Sequence, residues 1–441
     1  MRPFNDSDPN SIEEYARRLV GKTLRELTGV TKKGRFKGKG RLGQLVEELY
    51  FKYSPNSTSE PDFAKAGVEL KTSPLKVVKS KLASKERLVL NIIDYISEAS
   101  KTFETSSFWR KNRLLLLLFY LHDSSKMDID LLFKICRLWE YPEADLKIIR
   151  DDWSKIVTKI RNGQAHLLSE ADTLYLAACT KGATAASSMR SQPYSPDPAK
   201  QRAFSLKSKY LNFIIDDSLK IQSELAVKSA GAYRVNQTFE EFVVERFSQF
   251  YGRSIPEIAK EVGVTVSNSK HKYFLLAKAI LGVSKERIEE FEKANVELKT
   301  IRLKKNGVPK ESMSFKQIQF MDIVDEEWET SYWLETLTKR FFFVVFQYDG
   351  FGTLRLEKVF FWAMPVDDLE IAKRFWLDTK KKIARGDHAS FIKESDNMIC
   401  HVRPKARDSS DKTLAPSGRM EKKMAYWLNS SYVKTVVDDT R

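Results

Sequence analysis

The 441-residue sequence has few of the residues that build disulfide frameworks, zinc sites and membrane spans. Its three cysteines, Cys136, Cys179 and Cys400, are too far apart to indicate a disulfide or zinc framework and are typical of a reducing cytoplasm. The five histidines show none of the short spacings of metal-binding pairs. The longest apolar run, Leu114–Leu121, is too short to span a bilayer and predicts a buried strand. The N-terminus has no apolar segment, so neither a signal peptide nor a membrane partner is expected.

Positive charge is what the chain has in excess. Its 75 Lys and Arg against 59 Asp and Glu give a formal net charge of +16, in a sequence that is 42% hydrophobic and 30% charged. The composition is typical of a soluble globular protein with ample core. The charge favours a partner made of phosphates, whose counterions a basic surface displaces. Nucleic acid is therefore the expected partner class, with a merely basic protein as the alternative.

One short segment carries the strongest indication of chemistry. In Gly67–Thr72, the alternation of a strand puts Glu69 and Lys71 on one face, and Asp62 lies seven residues before Glu69. Two carboxylates beside a lysine suit a hard divalent cation such as Mg²⁺, with the ammonium near an attacking water. Nucleases that hydrolyse DNA phosphodiesters use this pattern. A solvated edge strand is the alternative.

The sequence repeats itself at an offset of about 230 residues. The segment Asp62–Thr72 matches Glu290–Thr300, and a Thr-Ser pair before a Trp and a long apolar run occurs at Thr105 and again at Thr330. The repeat predicts two similarly folded domains, which would form a pseudo-dimer able to meet two DNA half-sites or two separate copies of a site. We place the domains at residues 1–215 and 237–441, joined by a linker at 216–236.

Each half is expected to be α/β. An N-terminal helix should begin with a capping box at Ser11, and the second half repeats that box at Thr238. A second helix is expected over Leu42–Leu49, whose apolar residues face a core. Strands are predicted at Val68–Thr72, Leu88–Ile93 and Leu114–Tyr120. The last two are near-continuous apolar runs, as in strands that are covered on both faces.

Two further residues are candidates for the same site. Glu47 lies at the edge of the apolar stripe of the second helix and could reach the cation as another carboxylate. Lys111 lies just before the apolar run that starts at Leu114 and could add a second ammonium. From the residues alone a solvated role fits both, as the neighbouring Glu48 illustrates.

Taken together, these segments resemble the MutH family of mismatch-repair endonucleases. The segments that carry this resemblance are Leu42–Glu47, Asp62–Phe63, Gly67–Thr72 and Thr102–Lys111. Over nearly its full length the chain also resembles the two-domain, MutH-related type II restriction endonucleases that cut at GATC. The segments that carry this second resemblance are Ser84–Ile93, Gln201–Ser208, Glu311–Phe315 and Ile399–Pro404.

The resemblance implies an α/β fold of two tandem PD-(D/E)XK, restriction-endonuclease-like domains in a bacterial cytoplasmic enzyme. It also implies Mg²⁺-dependent cleavage of double-stranded DNA at GATC. Carried over by position, Glu47, Asp62 and Glu69 form the acidic metal site, and Lys71 and Lys111 are its lysines. The interval from Glu47 to Asp62 is one residue longer than in the repair enzymes, which leaves Glu48 as an alternative ligand.

A DNA-reading region is implied in the first half by Tyr175–Ala183 and Arg202–Lys207. Lys181 and Lys207 would suit guanine or phosphate oxygens, and Gly182 would let the backbone approach the groove. The implied DNA-binding residues of this half are Lys181, Gly182, Arg202, Ser205 and Lys207. The repair enzymes have Arg-Pro-Lys where this half has Cys-Thr-Lys.

The second half keeps the Arg-Pro-Lys sequence, which predicts an intact DNA-binding surface around Arg403, Lys405 and Trp427. Its cleavage site looks degenerate instead. Asp62 is replaced by Glu290, and the position of Glu47 falls on Ala277 or Lys278. Glu297 and Lys299 remain, which leaves weak metal binding as an alternative, but we expect no catalysis in this half.

The sequence therefore predicts a type II restriction endonuclease whose first domain cuts GATC and whose second domain binds another copy of the site as an effector. Because one catalytic centre cuts one strand at a time, double-strand cleavage requires two molecules on one site or sequential nicking. A monomer in solution is compatible with either route, and a dimer is expected on DNA. A methyl-directed repair nicking enzyme is disfavoured because such enzymes resemble only the first half. A GATC-binding protein without catalysis is disfavoured by the intact set of Asp62, Glu69 and Lys71.

Overall fold

The fold is known from a computed structural model. It describes residues 3–30, 41–53, 59–78, 81–181, 188–219, 237–264, 272–282, 289–396 and 399–440. The chain forms two compact units: unit 1 contains residues 1–231 and 288–295, and unit 2 contains residues 232–287 and 296–441. Most of the predicted linker, residues 220–236, lies outside the described ranges. The predicted second domain differs from unit 2 in residues 288–295, where Lys293 Nζ lies 3.0 Å from Asp145 Oδ1 of unit 1.

Unit 1 is a mixed α/β unit. Its helices are α1 (Pro9–Arg17), α2 (Leu24–Thr28), α3 (Arg41–Leu45), α4 (Tyr95–Ala99), α5 (Ser107–Asn112), α6 (Glu143–Arg161) and α7 (Ser208–Ser218). Its strands are β1 (Glu69–Val78), β2 (Lys81–Ser84), β3 (Leu88–Ile92), β4 (Leu114–Leu121), β5 (Phe133–Glu140), β6 (Leu176–Thr180), β7 (Met189–Gln192), β8 (Ser195–Lys200) and β9 (Arg202–Leu206). The main sheet has the order β2-β1-β4-β5, in which β1 and β4 run parallel. The sheet β3-β9-β6 is antiparallel, and β7 pairs with β8.

Unit 2 repeats this plan. Its helices, with α11 of unit 1 included in chain order, are α8 (Phe239–Ser248), α9 (Ile255–Glu261), α10 (Lys272–Ile280), α11 (Glu289–Ala294), α12 (Phe320–Ile323), α13 (Tyr332–Leu337), α14 (Val366–Arg385) and α15 (Ser430–Asp439). Its strands are β10 (Val296–Leu303), β11 (Met313–Gln317), β12 (Arg340–Tyr348), β13 (Leu354–Trp362), β14 (Cys400–Pro404), β15 (Lys412–Leu414), β16 (Met420–Lys422) and β17 (Met424–Leu428). The sheet β10-β12-β13 repeats β1-β4-β5, and β11-β17-β14 repeats β3-β9-β6.

The equivalence of the two units extends to backbone conformation just before the first strand of each main sheet. Gly67 has φ of +68° and Asn295 has φ of +55°, each followed by a valine. This left-handed region is adopted readily by glycine and, among other residues, most easily by asparagine and aspartate. The parallel pairing then has equivalent partners, with Glu69 opposite Leu115 and Glu297 opposite Phe341.

The predicted strands are confirmed, with β1 extending further than expected, to Val78. The continuous apolar sequence of β4 is explained by its burial, since Leu115–Phe119 are fully buried in an inner strand. The predicted second helix is confirmed as α3, which continues as a π-helical turn at Val46–Tyr50. The three cysteines are free and buried. Within the described ranges no helix is long and apolar enough to cross a membrane.

The two predicted capping boxes have different outcomes. The box at Thr238 is confirmed, because its hydroxyl accepts from the Glu241 N–H and the Glu241 carboxylate accepts from the Thr238 N–H. The box at Ser11 is wrong. Helix α1 begins at Pro9, whose fixed φ suits the first helical position, and Asp8 is the cap. Ser11 Oγ instead accepts from the backbone N–H of Asn5.

Asp152 joins α6 to the start of β6, a strand within the predicted DNA-reading region. It is fully buried and accepts hydrogen bonds from the backbone N–H groups of Leu174, Tyr175 and Leu176 at 2.7, 2.6 and 2.9 Å. Burial raises the pKa of this carboxyl against the lowering effects of Lys155 and the three N–H groups. One side chain thus satisfies three buried donors.

We expect Asp152→Ala to lower the free energy of unfolding by roughly 3–5 kcal/mol, because three buried N–H groups lose their acceptor. Ser154→Ala, at an exposed position of the same helix, is the matched control and should change it by less than about 0.5 kcal/mol. Urea unfolding of both variants measures the difference. Equal stabilities for the two variants would contradict this role of Asp152.

Candidate active site

The candidate site of unit 1 lies at the start of β1, where this strand pairs with β4. Glu69 is the first residue of β1 and is only 2% exposed. Asp62 lies in the preceding turn, which is closed by a bridge between Phe63 and Val68. The turn brings the two carboxylates together although seven residues separate them in the chain.

Backbone hydrogen bonds fix these two carboxylates relative to each other. The N–H of Asp62 donates to Glu69 Oε2 at 3.1 Å, and the N–H of Leu70 donates to Asp62 Oδ2 at 3.0 Å. Gly67 allows the turn between them, since it has a positive φ and a Cβ there would lie 2.9 Å from Arg113 Nη2. The local sequence thus builds a rigid pair of acidic groups.

Both predicted lysines lie at this pair. Lys71 Nζ is 2.6 Å from Glu69 Oε1, as expected for neighbours on one face of a strand. Lys111, in the last turn of α5, places its Nζ 3.7 Å from the same oxygen. Their side chains are 18% and 13% exposed, so each charge is partly shielded from water. The ammonium groups offset the cost of burying Glu69.

Glu47, rather than its neighbour, belongs to this cluster. Burial raises the pKa of Glu47 to about 7, and among nearby charges Asp62 and Glu69 raise it while Lys71 and Lys111 lower it. Glu48 is exposed. Glu47 lies in the π-helical turn, an element that often occurs at functional sites. The structure therefore places Glu47, and not Glu48, with the other acidic residues.

The cluster carries an excess of negative charge. Burial likewise raises the pKa of Asp62 to about 6, helped by Glu69 and opposed by Lys71, the Leu70 N–H and Lys111. Three carboxylates face two ammonium groups, so one negative charge is unbalanced when all are ionised. In the described parts of the chain no three His, Cys, Asp or Glu side chains form a ready-made metal cage. The excess charge is the kind that a bound cation relieves.

The predicted DNA-reading residues of unit 1 differ in accessibility. Lys181 is exposed after β6, and Gly182 lies outside the described residues. Arg202 and Ser205 are buried, donating to the carbonyl oxygens of Ala178 and Ala177, because β9 is the central strand of β3-β9-β6. In this arrangement both side chains are held within the sheet, and their contact with DNA stays a prediction. Lys207 is half-buried and donates to the carbonyl oxygen of Thr173.

In unit 2 the three predicted DNA-binding residues come together on neighbouring strands. The guanidinium of Arg403, on β14, lies 4.0 Å from the centre of the Trp427 ring on β17. Lys405 Nζ is 6.0 Å from the same ring. Arg403 and Lys405 are exposed, and Trp427 is half-buried. Together they form a basic surface that includes an aromatic ring, and such a surface suits DNA phosphates or nucleobases.

The predicted degenerate site of unit 2, called the remnant site below, is organised around Glu297. Lys299 Nζ is 2.8 Å from its Oε1, and Lys339 Nζ is 2.7 Å from its Oε2. Burial alone would raise the pKa of Glu297, but the two lysines outweigh it and lower the pKa to about 2. Sequence reasoning missed Lys339, although it lies just before the apolar strand β12, as Lys111 lies before β4.

The other acidic positions are not rebuilt in unit 2. Glu290 lies in α11, a helix that belongs to unit 1, and not in a turn like that of Asp62. Ala277 and Lys278, the predicted counterparts of Glu47, are both buried in α10. One carboxylate therefore faces two ammonium groups, which gives this cluster a net positive charge, opposite to that of unit 1.

Comparison with known proteins agrees with this repeated architecture. The family described as "DNA mismatch repair enzyme MutH" matches residues 51–152 and, separately, residues 282–374. The chain is similar to the type II restriction enzyme Sau3AI of Staphylococcus aureus, at 34% identity over 97% of this chain and 98% of that enzyme. It is also similar to the DNA mismatch repair protein MutH of two Escherichia coli strains. For strain 536 the identity is 29% over 41% of this chain and 80% of that protein, and for strain SMS-3-5 it is 28% over 49% and 96%.

The raised pKa of Glu47 predicts a gain in stability when its charge is removed. The pKa of Glu47 is 4.5 in its ordinary state and about 7 in the folded protein. Ionisation of Glu47 therefore opposes folding above pH 4.5, and this destabilisation grows until about pH 7 and is complete above it. Without divalent cations at pH 8, Glu47→Gln should therefore raise the melting temperature by roughly 2–6 °C. The gain should disappear below about pH 4.5.

Glu48→Gln is the matched control, since Glu48 is adjacent but exposed. Differential scanning calorimetry in EDTA compares the two variants with wild type. A lower melting temperature for Glu47→Gln at pH 8, or the same gain for Glu48→Gln, would contradict the electrostatic account of the site.

Proposed function

The chain belongs to the MutH-related family of type II restriction endonucleases, and on that basis we propose that unit 1 cuts double-stranded DNA at 5′-GATC-3′ in a Mg²⁺-dependent reaction. It is a site-specific endonuclease, acting, we propose, in the bacterial cytoplasm. The observation that carries the assignment to unit 1 is its cluster of Asp62, Glu69 and Lys71 with excess negative charge. We assign both units to the PD-(D/E)XK fold, as a tandem pseudo-dimer.

The acidic residues fit a magnesium site completed by substrate. Proteins usually hold Mg²⁺ through one or two carboxylates together with water and substrate phosphates, so a complete protein cage is not required. Asp62 and Glu69 would supply these ligands, with Glu47 as a further carboxylate. When bound, Mg²⁺ polarises the scissile phosphate and lowers the pKa of a bound water.

The lysines have separate roles in the proposed hydrolysis. Lys71, whose Nζ is held 2.6 Å from Glu69 Oε1, would orient the attacking water. Lys111 would stabilise the negative charge that develops on the phosphate oxygens, because its ammonium is held nearby before the substrate arrives. Glu69 positions both groups, since Nζ of each lysine lies near the same Oε1 atom.

Unit 2 is proposed to bind a second copy of GATC and to act as an effector without cutting. Arg403, Lys405 and Trp427 would form its contact surface, and Lys181, Gly182 and Lys207 would contribute to that of unit 1. A single cutting unit cleaves one strand at a time, so we propose that two chains pair on DNA for double-strand cleavage. The net charge of +16 supports DNA as the partner.

Replacing Lys71 tests the catalytic assignment. We expect Lys71→Ala to lower the cleavage rate of GATC-containing plasmid by about 100-fold or more in Mg²⁺, because it removes a group proposed to act in the transition state. Lys76→Ala, an exposed lysine on the same strand, is the control and should cut like wild type. If the wild type binds GATC duplexes but leaves them uncut, a non-catalytic binding protein is the better account.

The number of sites on the substrate tests the effector role. Plasmids with two GATC sites should be cut faster than plasmids with one, and a short GATC duplex added in trans should stimulate cutting of the one-site plasmid. A duplex with a scrambled site is the control. Equal rates on both plasmids at every ratio of enzyme to DNA would contradict the effector role.

A further inference from the structure

The remnant site of unit 2 keeps the framework of a nuclease site but reverses its charge. Glu297 and Lys299 lie near the start of β10 and pair with the second and fourth residues of β12, as Glu69 and Lys71 pair with those of β4. In unit 1, Glu69 has two further carboxylates in its electrostatic surroundings. In unit 2, each oxygen of Glu297 already faces an ammonium group, that of Lys299 or of Lys339.

A third lysine adjoins this cluster. Lys405 donates from Nζ to Ser314 Oγ at 3.1 Å and to the carbonyl oxygen of Phe315 at 2.5 Å. Lys299 Nζ lies 4.8 Å from the centre of the Phe315 ring, so the two lysines meet at this residue. Burial and then the positive charge of Lys299 lower the pKa of Lys405, as expected for like charges held near each other.

The three ammonium groups can be reached from solvent. The side chains of Lys299 and Lys339 are 22% and 20% exposed, and Lys405 is exposed. Glu297 neutralises only one of the three positive charges. A DNA backbone phosphate carries one negative charge and would offset one of the two positive charges that remain, because lysine ammonium groups bind phosphate as compact point charges.

We propose that Lys299, Lys339 and Lys405, positioned by Glu297, form a clamp that binds a backbone phosphate of DNA without a metal ion. The clamp rests on the proposed binding of a DNA site by unit 2. Its lysines take the place that a divalent cation has in unit 1, where the excess charge is negative. One chain thus carries a cation-dependent cutting site and a cation-independent holding site on the same framework.

The test measures binding of a fluorescent GATC duplex to the full-length chain in EDTA, by anisotropy and by titration to stoichiometry. Wild type should bind two duplexes. The binding event that is lost in Arg403→Ala is the one that belongs to unit 2. The double variant Lys299→Gln with Lys339→Gln should weaken that binding event about tenfold. It should also reduce the dependence of log K on log salt concentration by about 0.9. Lys304, an exposed lysine just after β10, provides the control. Lys304→Gln should change the affinity of unit 2 for the duplex by less than about twofold.

Glu297→Gln separates the clamp from a metal site and from a purely structural role. Without this carboxylate, the positive charges of Lys299 and Lys339 are no longer neutralised and attract the phosphate more strongly. Unit 2 should therefore bind the duplex at least about threefold more tightly in EDTA. In EDTA, replacing a metal ligand would leave binding unchanged, and replacing a structural carboxylate would weaken it. Because the glutamine variant leaves no unpaired carboxylate, it also serves if the double lysine variant fails to fold.

The outcomes distinguish the clamp from the function on which it rests. Unchanged or weaker binding by Glu297→Gln, or an effect of the double variant no larger than that of Lys304→Gln, overturns the clamp while leaving DNA binding by unit 2 in place. A wild type that binds a single duplex, unaffected by Arg403→Ala, overturns the proposed role of unit 2 itself.

Discussion

A buried carboxylate at the start of a parallel strand pair organises unit 1. Glu69 is almost fully buried, and its charge is acceptable there because the Asp62 N–H and the ammonium groups of Lys71 and Lys111 face it. These groups come from three pieces of chain: the turn before β1, β1 itself and the helix before β4. The parallel pairing of β1 with β4 is what brings them to one point. The surrounding acidic groups then concentrate negative charge around a fixed centre.

The same backbone framework carries a different charge balance in unit 2. The paired strands and the left-handed residue before the first strand are kept, so the backbone still presents Glu297 and Lys299 side by side. The turn aspartate and the helix glutamate are gone, and Lys339 faces the remaining carboxylate. A carboxylate whose pKa is lowered to about 2 by two lysines gains little from a cation. This difference in charge balance on a shared framework is what the proposed division into a cutting and a holding unit rests on.

Local patterns in the sequence predicted much of this, whereas burial and long-range contacts did not follow from them. The alternation in Gly67–Thr72 and the apolar run of β4 report directly on strands, and both were confirmed. The resemblance implied a DNA contact for Arg202, whereas its burial in the central strand of a sheet depends on long-range pairing that the local sequence does not show. The choice between Glu47 and Glu48 depended on a π-helical turn, which no periodicity signals. Lys339 could have been found, since it precedes an apolar strand as Lys111 does.

The central claim is that unit 1, and not unit 2, holds the divalent cation that cleavage requires. Fe²⁺ substituted for Mg²⁺ generates hydroxyl radicals, in the presence of ascorbate and peroxide, that break the polypeptide next to the bound metal, and mass spectrometry of the fragments locates the breaks. We predict breaks near Asp62 and Glu69 that excess Mg²⁺ suppresses, with none above background near Glu297. Breaks of equal intensity near Glu297, or none near Asp62, would contradict this assignment.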